Sequence, residues 1–256
     1  MKKSDHEKSY YEDNFNWQRF ETNHWIEKKI EIIKSIIPKD VISILDVGCG
    51  NGIITKPLRL DHRVFGIDRS LSALKYVAFE KIRGDITILP IKSYVVDMSI
   101  CSEVLEHLEG KLLTQAIEEL KRVSKKYILV TVPNNENLNK NRVKCPACQF
   151  KFNASFHYNS FNETILDQYF NEYKKLYTFE SGKLVRQYNN YLLWIRQNIG
   201  NSWGRFRNKR RVTCPRCGKK FIPRLNTNII SIICDGLNRF LSSRRPYWLG
   251  IIYEKV

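Results

Sequence analysis

A parallel, doubly wound α/β sheet carrying an insertion is predicted by three features of this chain. Short apolar runs alternate with amphipathic stretches at βαβ spacing, one apolar run passes straight into a glycine-rich turn, and the alternation stretches only after Pro133, where two cysteine pairs intervene. The 256 residues suit one domain plus an elaboration, or two small domains, with ample apolar content for a core.

The elements follow in order. Residues 1–23 are polar, with Tyr10, Tyr11, Phe15, Trp17 and Phe20 scattered among them. Ile26, Ile30, Ile33 and Ile37 fall on one face of a helix expected over 25–37 and stopped by Pro38. Strands are expected over 41–47, 63–68, 95–101 and 127–132, the last halted by Pro133. Between them, helices are expected over 70–82, with Ser70 as N-cap, and over 110–124, with Leu113, Ala116, Ile117, Leu120 and Val123 sharing a face. A helix over 162–170, a strand over 173–179 and a terminal strand over 247–254 continue the alternation. The last connection holds a helix near 188–198, the basic run 205–211, the second cysteine pair and an amphipathic helix near 228–241.

The net charge of +17 is concentrated. Ser181 to Cys234 contains twelve Lys or Arg and no Asp or Glu, so phosphate, another polyanion such as RNA, or an anionic membrane surface is the expected partner of that segment. No apolar run approaches the ~18 residues of a membrane span. Seven cysteines, an odd number, and no recognisable signal peptide point to a reducing cytoplasm, with attachment at the inner membrane face as a peripheral variant.

Four of those cysteines form two C-P-x-C pairs, Cys145-Pro146-Ala147-Cys148 and Cys214-Pro215-Arg216-Cys217. Each pair places two thiolates on one tight turn, and two such turns supply the four soft ligands of a closed tetrahedral zinc site. An aromatic follows each pair, Phe150 and Phe221, which gives both the knuckle pattern of a zinc ribbon. Two similar knuckles are far more specific than one.

The most specific stretch is Ile44-Leu45-Asp46-Val47-Gly48-Cys49-Gly50-Asn51-Gly52. Glycines at alternate positions after a strand let backbone amides approach a ligand closely. The second strand ends in Gly66-Ile67-Asp68, which puts a carboxylate where it can accept from both hydroxyls of a ribose lacking a 2′-phosphate.

Over residues 40–135 the sequence resembles class I S-adenosylmethionine-dependent methyltransferases, with a ubiquinone-type or polysaccharide-cluster flavour. The resemblance implies a Rossmann-like seven-stranded sheet, mostly parallel, whose last strand is antiparallel. It assigns Asp46, Gly48, Gly50 and Gly52 to the methionine end of the cofactor and Asp68 to the ribose, with Cys49 and Arg69 among the cofactor-binding residues. Gly84-Asp85-Ile86 resembles the adenine segment, with Asp85 and Ile86 at the base. Asp97 to Leu108 resembles the strand and loop opposite the donor methyl, adding Cys101, Ser102 and Glu103 to the expected cofactor set. An NAD-dependent dehydrogenase fits worse, because the glycine spacing and Asp85 follow the methyltransferase pattern. One departure is the short first helix, with Pro57 soon after the glycines.

On this reading residues 1–38 form an N-terminal helical cap. Residues 39–182 with 245–256 form the methyltransferase core, and 140–155 with 183–244 form a zinc-binding, basic lid. One zinc would tie the two connections into a rigid cover over the acceptor site.

The acceptor is narrowed by absences. There is no N/D-P-P-Y/F/W sequence after Cys101 and no Pro-Cys dipeptide, which argues against amino methylation of adenine, cytosine or glutamine and against C5-pyrimidine methylation. O-methylation of a glycan, lipid-linked or phosphorylated, or of another small molecule is the leading expectation. His107 is the expected general base, beside Glu106, since it lies just past the sheet's carboxyl edge and an imidazole titrates near working pH. Glu103, Glu106, His107 and His157 could alternatively hold a divalent metal that grips a diol, as similar sequences do in the resembled O-methyltransferases. The basic segment, interleaved with Tyr188, Trp194, Trp203 and Phe206, leaves RNA methylation open, and a non-catalytic zinc-ribbon interaction protein on a methyltransferase scaffold is the third reading.

Overall fold

The computed structural model describes residues 12, 17, 22–204, 211–224 and 226–256. Residues 205–210 of the basic run 205–211 and most of the N-terminal segment therefore lie outside the described residues.

The chain divides into two compact units. One comprises Tyr11–Asn135, Phe161–Lys183 and Pro246–Val256; the other contains Glu136–Ser160 and Leu184–Arg245. The N-terminal helix thus shares a unit with the sheet.

In the first unit, α1 (His24–Ile36) starts where Asn23 accepts the amides of Trp25 and Ile26, and it buries Ile26, Lys29, Ile30 and Ile33. The main sheet holds seven strands among the described residues, in the order β3-β2-β1-β4-β5-β11-β8. These are β1 (Ser43–Val47), β2 (Arg63–Asp68), β3 (Glu80–Arg83), β4 (Val96–Ser102), β5 (Ser124–Pro133), β8 (Tyr173–Arg186) and β11 (Arg244–Lys255). The pairs β1–β2, β1–β4, β2–β3 and β4–β5 are parallel, and β11 returns antiparallel to β5.

Alternate side chains of the central strands enter opposite layers, as the period of two requires. Leu45, Val47, Ile128, Val130 and Val132 pack with Leu113, Ala116, Ile117 and Leu120 of α3 (Lys111–Val123) and with Leu166 of α4 (Glu163–Tyr169). Ile44, Met98, Ile100, Tyr127 and Leu129 pack with Ile33 and Ile37 on the other side. Both faces are covered, which is why the strands read as near-continuous apolar runs.

One expected element is corrected. The helix predicted over 70–82 is a single turn, α2 (Leu71–Leu74), and the chain then returns to the sheet as β3. Every residue of β3 is exposed, so this charged edge strand carries no apolar alternation to announce it. Val77 and Phe79, within the range expected to be helical, reach the core from the connection instead.

In the second unit, β6 (Arg142–Lys144) and β7 (Lys151–Asn153) form one antiparallel hairpin, and β9 (Val212–Thr213) and β10 (Lys220–Phe221) another. The predicted helix near 188–198 is α5 (Asn190–Trp194), which widens into a π-helical turn over Ile195–Ile199. It packs against α6 (Ile229–Leu241), whose start is fixed by a reciprocal capping box between Asn228 and Ser231.

Candidate active site and candidate metal centre

The glycine turn leaves β1 through three left-handed residues, with φ of +79° at Gly48, +55° at Gly50 and +74° at Gly52. A Cβ on Gly48 would stand 2.4 Å from a Val104 methyl, so neither the conformation nor the space admits a side chain. The Ile67 carbonyl accepts the amides of Gly48 and Cys49, which ties the turn to β2. Asp68, ending β2, accepts the Gly50 amide and the Ser70 amide on separate oxygens, both at 2.8 Å. Its carboxyl is held above the ordinary range by burial, which those two hydrogen bonds oppose.

Asp46 is buried beneath the turn, 2% exposed, and accepts the Thr55 hydroxyl at 2.5 Å. Burial pushes its carboxyl up to about 7; the Thr55 hydrogen bond opposes the rise and the nearby Asp68 adds to it. A buried carboxylate poised in this way suits a cationic ligand group, and the glycine turn beside it suits close backbone approach. These residues therefore fit the methionine end of S-adenosylmethionine. Cys49 is buried against Gly66, where an added Cβ would lie 2.9 Å from its sulfur, and Cys101 is fully buried; both thiols are raised by burial. Arg69, next to Asp68 in sequence, is half-buried. Asp85 is exposed and accepts the amide and hydroxyl of Thr87, closing a turn that presents Ile86 to the core.

At the carboxyl end of β4 the structure assembles a cluster larger than the sequence indicated. Glu103 adopts φ +57° and accepts Lys29 Nζ at 3.2 Å and Thr131 Oγ1 at 3.3 Å. Lys29 Nζ also donates to Ser102 Oγ at 3.1 Å and lies 4.6 Å from the centre of a Trp248 ring. Lys29 is 1% exposed. It was missed in the sequence although a signal existed: Lys29 borders the apolar stripe of α1, about 40° from Ile33 around the helix. Thr55 and Thr131 left no comparable trace.

Glu106 is buried, and His107 is half-buried at the end of a 3-10 turn over Leu105–His107. Of the residues expected to hold a divalent metal, Glu103 is ion-paired with Lys29, and His157 lies in the other unit, where its Nδ1 meets a Glu136 carboxylate oxygen.

In the second unit the two cysteine pairs converge. Cys145 Sγ lies 3.7 Å from Cys217 Sγ and Cys148 Sγ 3.6 Å from Cys214 Sγ, and all four sulfurs are within 4.8 Å of one another. A tetrahedron with zinc–sulfur bonds of about 2.3 Å has sulfur–sulfur edges of about 3.8 Å, so the cluster has the dimensions of a closed zinc site. The two knuckles agree residue by residue. The Cys145 amide donates to the Phe150 carbonyl as Cys214 does to Lys219, and the Gln149 amide donates to Cys145 as Gly218 does to Cys214. Gln149 and Gly218 both take positive φ, +60° and +72°. The backbone amides of Phe150 and Lys219 hydrogen-bond Cys148 and Cys217, contacts that favour thiolates.

Residues 45–128, which hold the glycine turn, Asp68 and Asp85, match the methyltransferase domain family. The seven-stranded sheet, mostly parallel with its last strand antiparallel, has the α/β methyltransferase fold. An uncharacterized protein of Methanocaldococcus jannaschii is 31% identical over 116 residues, a stretch covering 44% of this chain and 50% of that relative. The match thus spans half the length of this curated relative. Among solved structures, a SAM-dependent methyltransferase from Archaeoglobus fulgidus superposes with a TM-score of 0.55 at 16% identity, covering 90% of this chain and 94% of that one. Magnesium protoporphyrin IX methyltransferase of Synechocystis PCC 6803, solved with bound SAH, superposes with a TM-score of 0.52 at 15% identity, covering 70% and 94%. At these identities the likeness is one of fold.

Proposed function

We propose that this protein transfers the methyl group of S-adenosylmethionine to an oxygen of a glycan, lipid-linked or phosphorylated, or of a comparable small molecule, and that one structural zinc holds its second unit together. The observation carrying the transfer is the pairing of the glycine turn with Asp46 below it and Asp68 across it. The cofactor, when bound, supplies the electrophilic methyl; the residues of the chain hold it and prepare the acceptor. Asp46 neutralises a cationic group, Asp68 is anchored by two amides to receive hydroxyls, and Asp85 with Ile86 frames the base. In-line displacement requires alignment and removal of the acceptor proton. His107, half-buried on the turn after β4, is the base in this reading, while Lys29 fixes Glu103 and Ser102 as walls of the same edge.

For the metal, the four converging sulfurs carry the reading. Four thiolates bring soft, negatively charged ligands that with one Zn²⁺ leave a site of net charge about −2, which the Lys and Arg of the segment outweigh, and we assign this basic unit to acceptor choice.

Incubation of the protein with methyl-labelled cofactor and separate glycan, small-molecule and RNA fractions tests the assignment. Label is expected in the glycan or small-molecule fraction; label in RNA alone would replace this acceptor class by nucleic acid, and failure to bind the cofactor at all would leave a scaffold protein. His107→Ala is expected to lower turnover at least about a hundredfold under chemistry-limited conditions, the low end of general-base contributions.

A further inference from the structure

Helix α6 is packed inside out. The face it turns into its own unit carries Ser231, Cys234 and Asn238, all buried. Asn238 accepts the Asn189 amide at 2.8 Å and donates to the Gln187 carbonyl at 3.0 Å. Asp235 accepts the Tyr188 hydroxyl at 2.7 Å and lies 3.3 Å from Arg196 Nε. The opposite face is a stripe of large apolar side chains left in solvent: Ile229 is 73% exposed, Ile232 60%, Ile233 55% and Phe240 88%, flanked by Leu237 and Leu241. With about 100° between successive residues, Ile229, Ile233 and Phe240 fall within about 40° of one another, so the stripe is continuous.

Water-soluble proteins turn such a stripe towards their core and seldom expose it. Here it cannot be hidden by rotating the helix. A half-turn would carry Asn238 and Asp235 into solvent and leave their partners within the unit, the Gln187 carbonyl, the Tyr188 hydroxyl and the buried Arg196, without them. The apolar face is therefore fixed outward by the polar one.

The composition of the segment that contains α6 selects the occupant. From Ser181 to Arg245 the chain contains fifteen Lys or Arg against one acid, Asp235, and that acid is already paired inside the unit. On the helix adjoining α6, Tyr191 and Trp194 are exposed, the residue types that settle at a membrane–water interface. A stripe of Ile, Leu and Phe offers phosphates no donors, which disfavours a nucleic acid on this face. An anionic bilayer supplies both complements, hydrocarbon for the stripe and negative charge for the Lys and Arg of the same segment of sequence. No described helix is long and apolar enough to cross a membrane, so the contact is with the surface.

We propose that the outward face of α6 docks the protein on an anionic lipid surface. The proposal does not depend on which acceptor is methylated. It is tested by co-sedimenting the full metal-loaded chain with vesicles of phosphatidylcholine alone and of phosphatidylcholine mixed with phosphatidylglycerol. Binding is expected only to the phosphatidylglycerol vesicles, to weaken with added salt, and to fall by about tenfold or more in Ile233→Ser/Phe240→Ser, which removes buried apolar area. Cofactor binding and far-UV circular dichroism of the double variant are expected to be unchanged, which separates this result from any failure of the methyltransferase reading. Equal vesicle binding by the variant would overturn the proposal, as would equal binding to neutral vesicles. So would a concentration-dependent dimer that the same double substitution abolishes, since the face would then belong to a second copy.

Discussion

Asp46 shows how much one side chain's surroundings set its chemistry. Its carboxyl, pushed up to about 7 by burial, lies far above the unfolded value, so the folded state binds the extra proton between those limits. Its contribution to folding stability is therefore fully present below the unfolded value and is lost as pH rises through about 7. Binding of a cationic group has the opposite preference, because it needs the ionised form. Cofactor affinity is expected to weaken progressively below about pH 7, by up to about tenfold per unit, and Asp46→Asn is expected to be weaker overall with a flat profile. Calorimetric titration across this range checks it; a flat wild-type profile would refute the assignment. Lys29 is the second residue whose surroundings decide its role. Lys29→Met removes the cation from Glu103, whose side chain is 29% exposed, so the cost is expected at about 2 kcal/mol, below that of breaking a fully buried pair. Urea unfolding measures it, and an unchanged midpoint would mean that the pair contributes nothing.

The two cysteine turns, Cys145–Cys148 and Cys214–Cys217, offer an internal comparison at the scale of the element. They share turn geometry and amide–sulfur bonding, yet one fills the left-handed position with Gln149 and the other with Gly218. A residue with a Cβ costs about 1–2 kcal/mol in that conformation. Gln149→Gly is thus expected to raise the thermal midpoint of the metal-loaded protein, and Gly218→Gln to lower it; the same sign for both substitutions would show that the turns are not equivalent. Elements also differ in how plainly they announced themselves. The helix α3 was legible because five apolar residues recur at helical spacing and all five are buried. The edge strand β3 was not, because its place is set by hydrogen bonds to β2 and none of its side chains is buried. α6 was legible as an amphipathic helix, but its sequence did not reveal that the polar face is the one packed inward.

Over the whole molecule, two units of different character share the chain. The sheet unit has an apolar core on both faces of its strands, whereas in the other unit two small hairpins meet through a four-sulfur cluster. A unit of that kind gains much of its folding free energy from its metal. Chelation is expected to split thermal unfolding into two transitions in differential scanning calorimetry, with added cofactor raising only the upper one. A single transition shifted as a whole would mean that the units unfold together.

The sequence by itself determined the α/β sheet, the glycine turn with Asp46 and Asp68, and the two cysteine pairs. Each of these is local: a strand running into glycines, an acid at a strand end, or two thiols on one turn is complete within about ten residues. Only the tertiary structure decided that Lys29 reaches Glu103 and Ser102 across more than seventy residues, that the sulfurs of distant hairpins close to within 4.8 Å, and that α6 shows its apolar side to solvent. Those outcomes depend on which faces meet, and hydrophobic periodicity locates a face without naming its partner.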